Sequence, residues 1–114
     1  MRRVFIFSVL IVLLLANVSI VTAGSKWYSG GTLHNATVWR WKNATYTNKL
    51  ATAADWCMKI PSIKRSINRN IENLRPYAIQ LIRCMDEACA GQGYEKTRAV
   101  TVAASCLLLM GYSL

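Results

Sequence analysis

Leu50, Ala53, Ala54, Cys57 and Met58 recur at offsets 0, 3, 4, 7 and 8, the spacing of an apolar stripe down one face of an α-helix. Neither Gly nor Pro interrupts that segment before Pro61. The rhythm repeats downstream: Ile63, Ile67, Ile71 and Leu74 align, with Lys64, Arg65, Asn68 and Arg69 turned to water. Leu74, Ala78, Leu81, Met85 and Ala88 continue it, and Val100, Ala103, Ala104, Leu107 and Leu108 form a last stripe. The expected fold is therefore all-α, a small bundle of four to five helices.

Punctuation places the ends. Asn35 is the expected cap of a short helix over Ala36 to Ala44, Thr47 of the next, and Ser62 of a third that begins where Pro61 stops its predecessor. Pro76 either kinks one long helix or falls in the first turn of a new one capped by Asn73. Gly91 and Gly93 end that helix, Thr97 caps the last, and Gly111 terminates it. The last helix is too short to span a membrane and is expected to be the most buried.

Arg2 and Arg3 precede an apolar run from Val4 to Ala16 broken only by Ser8, and Val21-Thr22-Ala23 follows. This is the three-part pattern of a secretory signal peptide, cut after Ala23. Gly24 rather than Cys comes next, so lipoprotein attachment is not indicated. An uncleaved anchor from Val4 to Val21 is the alternative, at 18 residues and interrupted by Asn17 and Ser19. The expected organisation is a signal peptide over 1–23, a flexible Gly- and Ser-rich arm over 24–33, and one helical domain over 34–114. Its destination is the periplasm in a bacterium, or the extracellular space.

Removal of 23 of 114 residues leaves 91, a domain whose core is marginal without help. Cys57, Cys84, Cys89 and Cys106 all remain, and an even number in a short exported chain points to two disulfides. If the last two helices form an antiparallel hairpin, Cys84 and Cys106 lie at similar heights, which leaves Cys57 for Cys89. A Cys84 to Cys89 bridge would join positions about 140° apart on one helix. No Cys-x-x-Cys occurs and His34 is the only histidine, so neither a metal site nor a redox motif is indicated.

The mature chain carries twelve Lys and Arg against five Asp and Glu, a net charge of +7. Such an excess favours anionic partners, whether acidic proteins or charged envelope components, and leaves room for peripheral membrane contact. Intracellular nucleic acid is disfavoured by the signal peptide. Residues 34–45, HNATVWRWKNAT, hold two glycosylation sequons at Asn35 and Asn43 around Trp39-Arg40-Trp41-Lys42. On a helix, Trp39 and Trp41 point about 200° apart. Trp41 is expected inward, while Trp39, Arg40 and Lys42 join Lys64, Arg65 and Arg69 as candidate binding residues.

Catalysis needs converging groups with tuned acidity, and no catalytic set, cofactor motif or phosphate-cradling loop is legible. His34 reads as a surface or capping residue without a spaced partner. Asp86 and Glu87 read as salt-link partners of nearby Arg83 and Lys96.

The segments NKLATAADWC, LRPYAIQLIRCMDEAC and AASCLLLMGY, behind a signal peptide, resemble in architecture the periplasmic acid-stress chaperones of the HdeA and HdeB kind. That resemblance implies an inactive folded dimer that opens at low pH and shields unfolding clients. Those chaperones carry one disulfide, against the two expected here. The leading expectation is a non-enzymatic exported helical protein, chaperone-like or stress-associated. The competing expectations are a binding or immunity-type protein that recognises an anionic partner through its basic face, and a membrane-active cationic protein that uses the Trp strip.

Overall fold

The computed structural model describes residues 26–114; the expected signal peptide lies outside them. Five α-helices and one 3-10 turn follow in order: α1 Val38–Lys42, α2 Tyr46–Met58, α3 Pro61–Ser66, the 3-10 turn Ile71–Leu74, α4 Arg75–Ala88 and α5 Ala99–Leu109. Among the described residues there is no strand, only a single antiparallel bridge between Thr37 and Arg98. None of these helices is long and apolar enough to cross a membrane.

That bridge explains why α1 is shorter than expected. Val38 N–H donates to Thr97 C=O at 2.7 Å and Ala99 N–H to Ala36 C=O at 2.9 Å, so the backbone around Ala36 is committed before a helix can start there. Thr37, not Asn35, is the N-cap, its hydroxyl accepting from Arg40 N–H. The same segment forces Arg98 rather than Thr97 to precede α5. In α2 the cap is Thr45 instead of Thr47, accepting from Asn48 N–H at 3.2 Å. At α3, Pro61 itself occupies the first turn and no side chain caps it, so Ser62 is not a cap.

The stripe Ile63, Ile67, Ile71 and Leu74 is right about burial except at Ile71, which is partly buried, and wrong about continuity. Ile63, Ile67 and Leu74 are buried, but the helix stops at Ser66. Asn68 and Arg69 adopt φ of 51° and 61°, and Asn70 N–H donates to Ile67 C=O at 2.9 Å. Two successive left-handed residues closed by that bond make a type I′ turn. Asparagine side chains hold it in place: Asn70 accepts from Glu72 N–H, and Asn73 donates to Ile67 C=O. A new helix then begins at Arg75, with Pro76 in its first turn and Leu74 rather than Asn73 at the cap.

Helices α2 and α4 pack antiparallel and form the centre of the core. Leu50, Ala53, Ala54 and Cys57 from α2 meet the stripe Ala78, Leu81, Ile82 and Met85 from α4 in one buried cluster. Helix α5 returns along α4, held by the Cys84–Cys106 disulfide with a Cα–Cα distance of 5.9 Å and by the Tyr77–Tyr112 ring contact at 6.4 Å. It is not the most buried helix: Leu108 and Leu109 are 57% and 83% exposed, because α5 covers one flank of the bundle while α2 lies between neighbours.

The expected second bridge does not form; Cys57 and Cys89 are buried free thiols. Lys49 Nζ sits 3.1 Å from Asp86 Oδ1, which fixes the register of the antiparallel pair. Cys57, eight residues past Lys49, lies toward the start of α4, and Cys89 lies three residues beyond Asp86 the other way. At 1.5 Å per residue the offset is about 16 Å, far beyond the roughly 7 Å a disulfide spans.

Residues 26–33 are not a free arm. Thr32 N–H donates to Asn48 Oδ1 at 2.9 Å, Asn48 Nδ2 donates back to Thr32 Oγ1 at 2.8 Å, and Leu33 N–H reaches Thr52 Oγ1. Glycine is what permits this contact: a Cβ at Gly31 would lie 2.6 Å from both the backbone N and Oγ1 of Thr52 and 2.8 Å from its Cα. Gly31→Ala therefore has to push the segment off α2. An expected loss of about 1 to 3 kcal/mol is measurable by urea denaturation, with Gly91→Ala, whose Cβ would meet only a Tyr94 side-chain atom at 3.5 Å, as the near-neutral comparison.

Candidate functional site

The six candidate binding residues divide into two groups. The first stands on α1. Trp39 is 61% exposed, and its backbone is tied down on both sides: its N–H donates to Glu95 C=O, and its C=O accepts from Asn43 Nδ2 at 2.7 Å. The indole is therefore presented to solvent by a fixed backbone, beside exposed Arg40 and Lys42. The sequon residues Asn35 and Asn43 are exposed as well.

Trp41, two residues on, is fully buried. It stacks on Trp56 with ring centroids 5.7 Å apart and 24° between planes. Its Nε1–H donates to Asp86 Oδ1 at 3.0 Å, the same oxygen that accepts from Lys49 Nζ at 3.1 Å, and the Lys49 ammonium lies 5.5 Å from the Trp41 ring centroid. Asp86 thus links three elements. Sequence reasoning assigned Asp86 to Arg83 or Lys96 instead; its partners are 45 and 37 residues away, so no local spacing points to them. Glu87 has no cation within 4.0 Å among the described residues.

The second group surrounds α3. Lys64 and Arg65 occupy its last turn, where cations favourably meet the negative end of the helix dipole, and Arg69 follows in the type I′ turn. Arginine has no special tolerance for the left-handed region, so Arg69 is held there at a cost of roughly 1 kcal/mol. Met58, Lys64, Arg65, Ile67, Asn68 and Arg69 line a surface depression of about 410 Å³. Arg65 also borders a second one of about 360 Å³, with Pro61, Ser62, Gly111, Ser113 and Leu114. Neither lining contains an Asp or Glu side chain.

The two groups do not converge. Trp41 bonds near the C-terminal end of α4, at Asp86, whereas the α3 turn is tied by Asn73 to its N-terminal end. The 14 residues of α4 put about 20 Å between those ends.

Outside these groups, His34 Nε2 is hydrogen-bonded to Asp55 Oδ2 at 2.8 Å, so the histidine does have a carboxylate partner, brought from 21 residues away by the packing of residues 26–33 on α2. The imidazole packs against Trp56 in a T-shaped arrangement, with ring centroids 6.2 Å apart. Burial pushes the Cys57 thiol up to about 12; the Cys89 thiol is raised by burial and then by Asp86, against opposing pulls from Lys42 and Lys49. Both are thus held as unreactive thiols at neutral pH. No group of three or more His, Cys, Asp or Glu side chains converges as a metal site among the described residues.

Fold and surface together describe a small all-α domain with one disulfide and two separate cationic faces. Comparison of the chain with protein-family models, curated proteins and solved structures found no match.

Proposed function

We propose that this chain is an exported, non-enzymatic protein that binds an anionic partner through its basic surface, centred on Lys64, Arg65 and Arg69. The observation that carries this reading is the imbalance of charge pairing. Of the twelve Lys and Arg at residues 26–114, only Lys49 has a carboxylate within 4.0 Å. The three cations around α3 border a depression whose lining holds no Asp or Glu. Unscreened positive charge of this kind attracts and orients anionic surfaces. Export is supported by the signal-like N-terminus and by the disulfide, which persists in oxidising compartments.

A chaperone-like role of the HdeA and HdeB kind is the second reading, favoured by the exposed Leu108, Leu109 and Leu114. Its acid trigger would have to work with five carboxylates and one histidine, few groups on which to build a steep pH response.

Salt separates the two. Charge interactions reach about 10 Å at 0.1 M salt and about 3 Å at 1 M. Capture from the native envelope or secretome, with mass spectrometry of the bound species, is expected to recover an acidic partner at about 0.1 M and lose it at about 1 M salt. A partner retained at the higher salt, or suppression of client aggregation that persists there, replaces the electrostatic reading with the chaperone one.

A further inference from the structure

The lining of the two depressions is mixed in a particular way. Lys64, Arg65 and Arg69 supply charge, while Met58, Pro61 and the side chain of Leu114 supply apolar surface. Leu114 is 64% exposed and borders the same depression as Arg65. Leu108 and Leu109, exposed on the last turn of α5, lie three and two residues before Gly111 of that lining. A soluble anion is satisfied by cations and polar donors alone, and gains nothing from exposed leucine. A phospholipid surface uses both: phosphates meet the cations, and apolar side chains enter the boundary below the headgroups.

We propose that the α3 end of the molecule docks onto an anionic phospholipid surface, with Lys64, Arg65 and Arg69 at the headgroup phosphates and Leu114 in the boundary layer. The inference rests on the anionic-partner reading above and names its partner. A second copy of the chain is disfavoured at this face, because the contact would oppose like charges on two basic molecules. The described helices are too short and polar to span, so the contact is peripheral. Trp39, Arg40 and Lys42 lie at the far end of α4 and are not part of it.

The test is co-sedimentation of the purified exported protein with phosphatidylglycerol/phosphatidylcholine vesicles and with pure phosphatidylcholine vesicles. Two variants remove equal charge at opposite ends: K64Q/R65Q and R40Q/K42Q. All of them share the same N-terminus, so any contribution from there cancels. Each cation at an anionic surface is worth about fivefold in binding. Thus K64Q/R65Q is expected to lose on the order of 25-fold on anionic vesicles, R40Q/K42Q no more than about twofold, and pure phosphatidylcholine to bind weakly throughout. R69G removes a third cation and relieves the left-handed backbone, so its fivefold loss comes with an unchanged or higher melting temperature. Equal losses in the two double variants would overturn the proposal in favour of diffuse charge. Displacement from vesicles by millimolar inorganic phosphate at constant ionic strength would overturn it in favour of a soluble-anion site. Absence of anionic-vesicle binding overturns it too, while salt-sensitive capture of an acidic protein would then leave the broader reading intact.

Discussion

Replacing Trp41 with alanine is expected to lower the unfolding free energy by about 3 to 5 kcal/mol, a large share of the roughly 5 to 15 kcal/mol that stabilises a domain. Three losses combine. The largest side chain among the fully buried residues leaves a cavity beside Trp56. Asp86 loses the indole donor, and Lys49 loses the ring beneath its ammonium. Trp41→Phe keeps most of the apolar volume but not the donor, and is expected to cost less, about 1 to 3 kcal/mol. Urea denaturation read by circular dichroism measures both at unchanged m-value. A loss below about 1 kcal/mol for Trp41→Ala means that Trp41 is not the anchor of α1.

Reduction of Cys84–Cys106, or the Cys84→Ser/Cys106→Ser variant, is expected to cost about 3 kcal/mol by freeing a loop of 22 residues in the unfolded chain. For a domain of this size the melting temperature then falls on the order of 10 to 20 °C. Thiol titration supplies an independent reading. Without reductant, the native protein is expected to show almost no reactive thiol, since Cys57 and Cys89 are buried and their thiol pKa values raised. Unfolding in denaturant then reveals two. A count of zero in denaturant returns the chain to two bridges and refutes the register set by Lys49 and Asp86.

The parts legible from sequence alone share one property: they depend on neighbours within a turn or two of helix. Repeat spacing of 3 and 4 identified most of the buried faces of α2 and α4 but only Ala103 and Leu107 of the α5 stripe, whose Leu108 is exposed, and it separated inward Trp41 from outward Trp39. Pro61, Pro76 and Gly111 marked boundaries to within a residue or two, because each acts on its own backbone. The matching heights of Cys84 and Cys106 needed one step more, the condition that the last two helices form an antiparallel hairpin, which the disulfide meets.

Other features arose only when distant segments met. The Thr37–Arg98 bridge, which trims α1 and sets the start of α5, joins residues 61 apart. The left-handed turn at Asn68 and Arg69 interrupts a stripe that periodicity carries straight through, since a stripe records which residues are buried and is silent on whether the backbone between them stays helical. Register between α2 and α4 came from Asp86, and it separated Cys57 from Cys89. The same separation by α4 divided the six candidate cations and aromatics into two faces. Helical periodicity encodes the direction of each side chain about its own axis, but the distance between two helices' residues follows from how those axes slide and cross, and that is decided by long-range packing.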